Sequence, residues 1–143
     1  TVLVEGDDHN EPISDAVRGI IDGHIVLERG IADRGRYPAI NVLRSVSRTM
    51  PDCNSAEENA LVRRARALMA TYDNMADMIR LGAYRKGSDP EVDEAIMYHA
   101  SLEHFLSQDK NEPASLESGY AQLDAILSMV GESAETEEEP GEP

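Results

Sequence analysis

The spacing of hydrophobic residues changes part-way along the chain and divides it into two regions. Residues 1–4 (TVLV) are rich in β-formers without alternation, which is typical of a strand buried on both faces of a parallel sheet. A helix pattern follows at 13–21, a second short buried strand at 24–27 and a helical turn at 31–34, and then a loop that ends at Arg48. Strand, helix and strand in this order predict an α/β sheet, of which this region is only the last part.

From Ser55 onwards, apolar residues recur every three or four positions, which predicts amphipathic helices. Ser55 and Glu58 have the spacing of a capping box at the start of the first helix. The run is long for one helix, so we expect a break near 73–74 and an end at Gly82. The predicted buried stripe of this run is Leu61, Ala65, Leu68, Tyr72, Met75 and Ile79.

Two further helices are predicted in the second region. Asp89 or Ser88 caps the next helix, and Pro90 is tolerated in its first turn. Its predicted buried stripe is Val92, Ile96, His99, Leu102 and Leu106. After an interruption at 111–113 (NEP), a last helix should bury Leu116, Tyr120, Leu123, Leu127 and Val130. We therefore predict an α/β part at 1–53, a helical domain at 54–130 and a disordered acidic tail at 131–143.

Charge and composition exclude several classes of function. The net charge of −15 argues against nucleic acid as a direct partner, because binding phosphates requires clustered Lys and Arg. Much of this charge lies in the tail, which is too polar to order itself. No apolar run approaches the roughly 20 residues that span a bilayer. The single cysteine, Cys53, suits a reducing cytosol. A chain that lacks an initiator Met and opens on a strand pattern is expected to be a C-terminal piece.

The sequence lacks most catalytic and metal-binding motifs. Two stretches, 30–35 and 82–87, have the glycine spacing of a phosphate-binding loop, but neither has lysine after its second glycine. His99 and His104 are five residues apart, whereas a zinc-binding pair on a helix needs four. Asp7 and Asp8 are interpreted as loop-structuring or capping residues rather than magnesium ligands. We predict no metal site within the chain.

Arg48 is the candidate catalytic residue. It follows SVS at 45–47, between the α/β part and the helical domain, where a loop arginine could face a neighbouring subunit. A guanidinium there could stabilise the charge that develops in phosphoryl transfer. Residue type alone favours a surface arginine or an interdomain salt bridge instead, and this alternative stays open at the level of the residues.

Several short motifs resemble the flagellar and type III secretion ATPases, hexameric enzymes related to the catalytic subunits of rotary ATP synthases. VEGDD at 4–8, EPI at 11–13, DGH at 22–24, YPAI at 37–40 and SVSR at 45–48 follow in the order seen in that family. GAY at 82–84 and GSDP at 87–90 are typical of the export branch rather than of the rotary synthase. The resemblance covers residues 1 to about 130.

The resemblance implies roles for particular residues. Arg48 would be an arginine finger that acts in trans, and Tyr37, followed by Pro38, would stack on the adenine of ATP bound with Mg²⁺. The segment that touches the central stalk would comprise Gly87, Ser88, Asp89, Pro90, Glu91, Asp93 and Glu94. After FLSQ at 105–108, where synthases have aromatics that complete the adenine pocket, this chain has DKN, so the base should be held less snugly.

The resemblance implies that the chain comprises the end of a RecA-like ATPase domain and a helical C-terminal domain. The whole protein would form a homo-hexamer that drives flagellar or type III protein export. Its partners would be the central stalk protein, export substrates and chaperones, with no nucleic acid. It would be cytoplasmic in a bacterium and peripheral at the inner-membrane export apparatus. Because the chain lacks a phosphate-binding loop, we expect it to be inactive alone. The alternatives are a non-catalytic helical interaction module and, disfavoured by charge, a nucleic-acid motor.

Overall fold

The computed structural model describes residues 12–128. Along the chain lie α1 (Pro12–Arg18), β1 (Gly23–Leu27), α2 (Arg29–Asp33), β2 (Ile40–Ser47), α3 (Ala56–Arg80), α4 (Pro90–Phe105) and α5 (Leu116–Ser128). The predicted order of a strand-and-helix region followed by a helical region is confirmed for these residues. The predicted strand at 1–4, the Asp7–Asp8 pair, Val130 and the acidic tail lie outside the described residues.

The two described strands pair antiparallel, so the parallel sheet that we expected is not seen within 12–128. The prediction of a loop before Arg48 was also wrong, because β2 occupies most of that segment. In the ladder, His24 pairs with Val46 and Val26 with Asn41, so that residues 42–45 of β2 lie opposite Ile25 alone. A bulge of this size breaks the two-residue alternation by which a strand is recognised in a sequence.

The short helix α1 does not bury its predicted apolar stripe. Ile13 and Ile20 are both exposed, and the buried residue of the helix is Ser14. Val17 and Ile21 of the stripe are partly buried within 12–128, so its packing there is incomplete. The helix also ends at Arg18, before the last two residues of the predicted stripe, Ile20 and Ile21.

Helix α3 is continuous over its 25 residues, so the expected break at 73–74 is wrong. Asp73 and Asn74 lie on its exposed face, where polar side chains do not disturb the helix. The predicted capping box is confirmed, with Ser55 and Glu58 each accepting the other's backbone N–H. The predicted end at Gly82 is also confirmed. Its φ is +68°, and the N–H groups of Gly82 and Ala83 return to the carbonyls of Ile79 and Met78.

The main core lies among the three long helices. Its buried members are Ala65, Leu68, Ala95, Tyr98, Leu102, Leu123 and Leu127. On α4 the buried position is Tyr98 rather than the predicted His99, and the Tyr98 hydroxyl donates to the Leu127 carbonyl over 3.1 Å. His99 is half-buried and stacks on Tyr72, with ring centroids 3.5 Å apart. Leu116, predicted as buried, is 83% exposed because it is the first residue of α5.

None of the helices within 12–128 combines the length and apolar character that crossing a membrane would need.

Candidate functional site

Arg48 lies one residue beyond the end of β2, with its side chain exposed. Its backbone N–H donates to the Asp22 carbonyl over 2.7 Å, which extends the ladder to this residue. Its guanidinium donates to two carbonyls at the end of α1, those of Arg18 at 3.1 Å and Gly19 at 3.3 Å. Within 12–128 it contacts no carboxylate. The guanidinium is therefore held by weak, exposed, neutral acceptors that a charged ligand could displace.

The bulge that precedes Arg48 is held together by polar side chains. The Ser45 hydroxyl accepts the Val26 N–H at 3.0 Å and donates to the Asn41 carbonyl at 2.7 Å. The Asn41 amide in turn donates to the Glu28 carboxylate over 2.6 Å and accepts the Arg44 N–H. These bonds take the place of the ladder bonds that the bulge removes, and so fix the path of β2 toward Arg48.

Helix α3 also holds the bulge. The Arg66 guanidinium donates to the carbonyls of Val42 at 2.7 Å and Leu43 at 3.1 Å. Val42 and Leu43 have no partner on β1 in the ladder, so Arg66 satisfies carbonyls that the sheet leaves unpaired. Reasoning from the sequence missed Arg66, because only the bulge reveals why an arginine is needed there.

Tyr37 lies at the other end of the ladder from Arg48. Ile40 at the start of β2 pairs with Leu27, and Ser47 at its end pairs with Gly23, which separates the two ends by roughly 13 Å at about 3.3 Å per residue of β1. Tyr37 is 60% exposed as a residue, and its neighbour Pro38 is exposed as well. Much of this aromatic residue is thus accessible to a ligand.

The loop around Tyr37 contacts the far end of α4. The Gln108 N–H donates to the Tyr37 carbonyl over 2.8 Å. Beside it, Arg36 is buried with 8% of its side chain exposed, and its Nε lies 3.0 Å from Glu103 Oε2. The Nε–H does not point along this contact, so the pair is an ion pair rather than an aligned hydrogen bond. The sequence resemblance pointed to Tyr37 but gave no sign of Arg36 or Glu103.

The predicted stalk-contacting segment is an ordered turn before α4. Gly87 has φ +88°, and its N–H donates to Asp93 over 2.7 Å. The Tyr84 hydroxyl donates to the other oxygen of the same carboxylate at 3.0 Å. Asp89 caps the helix by accepting the N–H groups of Glu91 and Val92. Asp89 and Asp93 therefore shape this segment, whereas Ser88, Pro90 and Glu91 are exposed.

Glu94 is bonded to Arg64, which joins the three long helices. It accepts a hydrogen bond from Arg64 at 3.0 Å, and Arg64 also donates to Tyr98 Oη and to the Leu127 carbonyl. The Glu94 carboxylate raises the pKa of the Arg64 guanidinium. Of the seven residues predicted to bind a partner, Glu94 thus also has a packing role.

Among residues 12–128, the half-buried His99 is the other titratable group whose pKa is clearly displaced. Burial of the ring lowers the pKa of His99, the Glu103 carboxylate opposes this, and Arg34 adds to it. The stack on Tyr72 and the loss of water explain why the neutral imidazole is favoured.

A groove of about 860 Å³ opens beside β2, but it contains neither Arg48 nor Tyr37. Its walls include Val46, Met69, Phe105, Tyr120 and Leu123, from β2 and all three long helices. Its lining is mainly apolar, and its charged members are Arg63 and Arg66. The Arg66 guanidinium is already bonded to the carbonyls of Val42 and Leu43, so the candidate contacts at the two ends of the ladder describe the site better. Among residues 12–128, no three acidic, histidine or cysteine side chains are grouped so that they could hold a metal ion.

Comparison with known families matches both regions of the chain. Residues 1–47 match the nucleotide-binding domain of the ATP synthase alpha/beta family. Residues 54–125, half of the chain, match the C-terminal domain of the type III secretion ATPase EscN. The chain belongs to the type III secretion ATPase family. The resemblance drawn from the sequence motifs is thereby confirmed.

Individual members of the type III secretion ATPase family are similar over most of the chain. The flagellum-specific ATP synthase of Caulobacter vibrioides is 60% identical over 127 residues, which are 89% of this chain and 29% of that protein. The flagellum-specific ATP synthase of Bacillus subtilis is 49% identical over 131 residues, which are 92% of this chain and 29% of that protein. The chain therefore spans less than a third of the length of these relatives.

Solved structures of this family have the same fold. The assembled ATPase EscN of enteropathogenic E. coli superimposes with a TM-score of 0.83 at 38% identity, covering 89% of this chain and 31% of that one. EscN in complex with its central stalk EscO gives a TM-score of 0.76 at 37% identity, covering 81% of this chain and 29% of that one.

Proposed function

We propose that the chain is the C-terminal part of a hexameric RecA-like ATPase that couples ATP hydrolysis to flagellar or type III protein export. The identity to flagellum-specific ATP synthases and the likeness to assembled EscN support this proposal. The observation that carries it is the exposed guanidinium of Arg48, which stands at the end of a braced strand with only two neutral carbonyls as partners within 12–128. In this role the chain supplies contacts to ATP, and the rest of the protein supplies the phosphate-binding loop and the Mg²⁺ ligands.

Arg48 acts as an arginine finger on the nucleotide of the neighbouring subunit. Transfer of the γ-phosphoryl group to water develops charge on its equatorial oxygens, and a planar guanidinium can hold two of them at once. Leaving the carbonyls of Arg18 and Gly19 costs little, because both bonds are exposed to water. The charge-assisted bonds to phosphate are stronger than the bonds that are lost.

Tyr37 stacks on the adenine base, with Pro38 beside it. Its exposed ring supports this role, and its carbonyl is already held by Gln108. The residues that follow Gln108, namely Asp109, Lys110 and Asn111, are exposed and not aromatic. They cannot sandwich the base, so one face of the adenine stays in contact with water.

The turn at 87–94 contacts the central stalk of the export apparatus. EscN has been solved with its central stalk EscO, which supports this assignment for a chain of the same fold. The carboxylates of Asp89 and Asp93 fix the turn, and the exposed Glu91 offers charge to a basic stalk surface. The whole protein also handles export substrates and chaperones, in the bacterial cytoplasm at the periphery of the inner-membrane export apparatus.

Substitution of Arg48 in the full-length protein tests the proposal. We expect Arg48→Ala to leave ATP affinity within about threefold and to lower turnover about 100-fold or more, because a finger acts on the charge of the transition state. Arg48→Lys should recover little, since an ammonium cannot form the two-pronged contact. Arg44→Ala is the matched control, because Arg44 is an exposed arginine of the same strand with a weak 3.8 Å ion pair to Glu28.

Mixed hexamers test whether the finger acts in trans. Subunits with Arg48→Ala are combined with subunits whose phosphate-binding loop is disabled. Activity should return at interfaces that pair an intact arginine with an intact nucleotide site. Normal turnover of Arg48→Ala hexamers would refute the finger and favour the non-catalytic interaction module or a structural arginine.

A further inference from the structure

The loop that carries Tyr37 is attached to the C-terminal end of α4 at two adjacent points. Arg36 reaches Glu103 in the last turn of α4, and the Tyr37 carbonyl accepts the N–H of Gln108 just beyond the helix. The Arg36 guanidinium also donates to the Ile40 carbonyl at 3.2 Å, where β2 begins. The backbone on both sides of Tyr37 is therefore tied down, while its ring stays exposed.

Because Arg36 is buried, its ion pair with Glu103 matters for the position of the Arg36 side chain. Arg36 is 8% exposed, whereas Glu103 is 34% exposed and retains part of its hydration. A guanidinium that is removed from water needs a nearby counter-charge, and removing one partner leaves the other charge uncompensated. Without Glu103, Arg36 would turn toward solvent and carry the adjoining Tyr37 backbone with it.

No neighbouring side chain within 12–128 packs as an aromatic partner on the Tyr37 ring. Because 60% of Tyr37 is also exposed, the direction of the ring depends strongly on the backbone that carries it. A small rotation of the loop would move the ring by more than the tolerance of a stacked pair, because stacking depends on the offset and distance of the two planes.

We propose that Glu103 is a positioning residue for base binding, which acts through Arg36 to fix the Tyr37 ring. This inference rests on the proposed function, in which Tyr37 stacks on the adenine of ATP. It assigns to the helical domain an indirect part in base binding, separate from any contact with the stalk. Glu103 itself touches no substrate.

The test measures ATP hydrolysis by the assembled full-length protein with Glu103→Gln, and with Glu117→Gln as the control. Glu117 is an exposed glutamate in the first turn of α5, far from the Tyr37 loop in the sequence. We expect Glu103→Gln to raise KM for ATP about tenfold with kcat within about twofold, because stacking contributes equally to the ground state and the transition state. The control should change neither constant.

Two further measurements separate positioning from general damage. Ribose 5-triphosphate, which has no base to stack, should show the same KM with Glu103→Gln as with the unaltered protein. Tyr37→Ala should raise KM for ATP by itself, and the Glu103→Gln, Tyr37→Ala double variant should be no worse than Tyr37→Ala alone, because both changes remove one contact.

The outcomes distinguish this inference from the proposed function. If Tyr37→Ala leaves KM unchanged, the adenine contact itself is wrong. If Tyr37→Ala raises KM but Glu103→Gln does not, or if the two effects multiply, the positioning role of Glu103 is wrong. Should Glu103→Gln fail to assemble, Arg36→Lys is measured instead, because an ammonium cannot reach both Glu103 and the Ile40 carbonyl. The same rise in KM is expected, and an unchanged KM overturns the inference.

Discussion

At the scale of single residues, the side chains with proposed roles are exposed, and buried or half-buried side chains hold their backbone. Arg48 and Tyr37 project from the two ends of one ladder, whereas Ser45, Arg66 and Arg36 bind the chain beside them. This division lets a ligand reach the exposed groups without disturbing the packing. It also implies that removing an exposed group should affect activity far more than stability.

We therefore predict that Arg48→Ala changes the free energy of unfolding of this chain by less than about 0.5 kcal/mol, as is usual for exposed positions. Its bonds to the Arg18 and Gly19 carbonyls are exposed, so water replaces them at little cost. Urea unfolding followed by circular dichroism measures the change. A loss above about 1.5 kcal/mol would instead give Arg48 a structural role.

His99 makes stability depend on pH. Burial lowers the pKa of His99 in the folded chain, so the unfolded chain binds more protons between the folded value and the ordinary value of about 6.5. The contribution of neutral His99 is complete above about pH 6.5 and is lost as pH falls toward the lowered pKa.

His99→Phe should keep the stack on Tyr72 while removing the titration. We expect the melting temperature of this variant to fall less between pH 7 and 5 than that of the unaltered chain. His104→Phe is the control, because His104 is exposed on the same helix. Equal slopes for the His99→Phe and unaltered chains would show that His99 does not contribute.

At the scale of elements, helices were predictable where a local signal decides them. Ser55 with Glu58, Asp89 with Pro90, and Gly82 each act within one turn, and each holds in the structure. The strand β2 was not predictable, because the bulge at 42–45 destroys its alternation and is stabilised by Arg66 from a distant helix. In α4, Val92 and Leu102 are buried as predicted, but Tyr98 takes the buried position that was predicted for His99, for a similar reason. The buried position of Tyr98 depends on the hydrogen bond from its hydroxyl to the Leu127 carbonyl, which lies in another helix.

Two glycines should respond to alanine in opposite directions. Gly82 has φ +68°, which an alanine adopts only with strain, so Gly82→Ala should lower the free energy of unfolding by about 1 kcal/mol. Gly119 lies inside α5, and no atom of another part of the chain lies within 4 Å of the position that an alanine Cβ would take there. Gly119→Ala should therefore raise the free energy of unfolding by about 0.5–1 kcal/mol. Chemical denaturation of both variants checks the two signs. A stabilising Gly82→Ala would mean that the end of α3 is not held in the left-handed conformation.

At the scale of the whole molecule, the two regions are unequal in packing. The cluster among α3, α4 and α5 includes no residue from 12–47, and the strand region has Val26 and Ile31 as its buried apolar residues. Polar contacts from the helical region hold the strand region, through Arg66 to β2, through Glu103 to Arg36 and through Gln108 to Tyr37. Among residues 12–128, the strand region therefore draws part of its support from the helices, whereas the buried helical cluster contains no residue of the strands.

This asymmetry predicts a one-way effect in amide hydrogen exchange. Leu102→Ala leaves a cavity in the helical core and should lower the free energy of unfolding by about 2–5 kcal/mol. Amide exchange should then rise in α3–α5. It should also rise in β1 and β2, because Arg66 on α3 no longer holds β2 firmly. Val26→Ala should raise exchange in β1 and β2 only. Leu81→Ala, at an exposed position, is the control and should change neither. Faster exchange of α3–α5 in Val26→Ala would show that the two regions unfold together as one cooperative unit. The helical domain could then not be treated as an independent support for Arg48 and Tyr37.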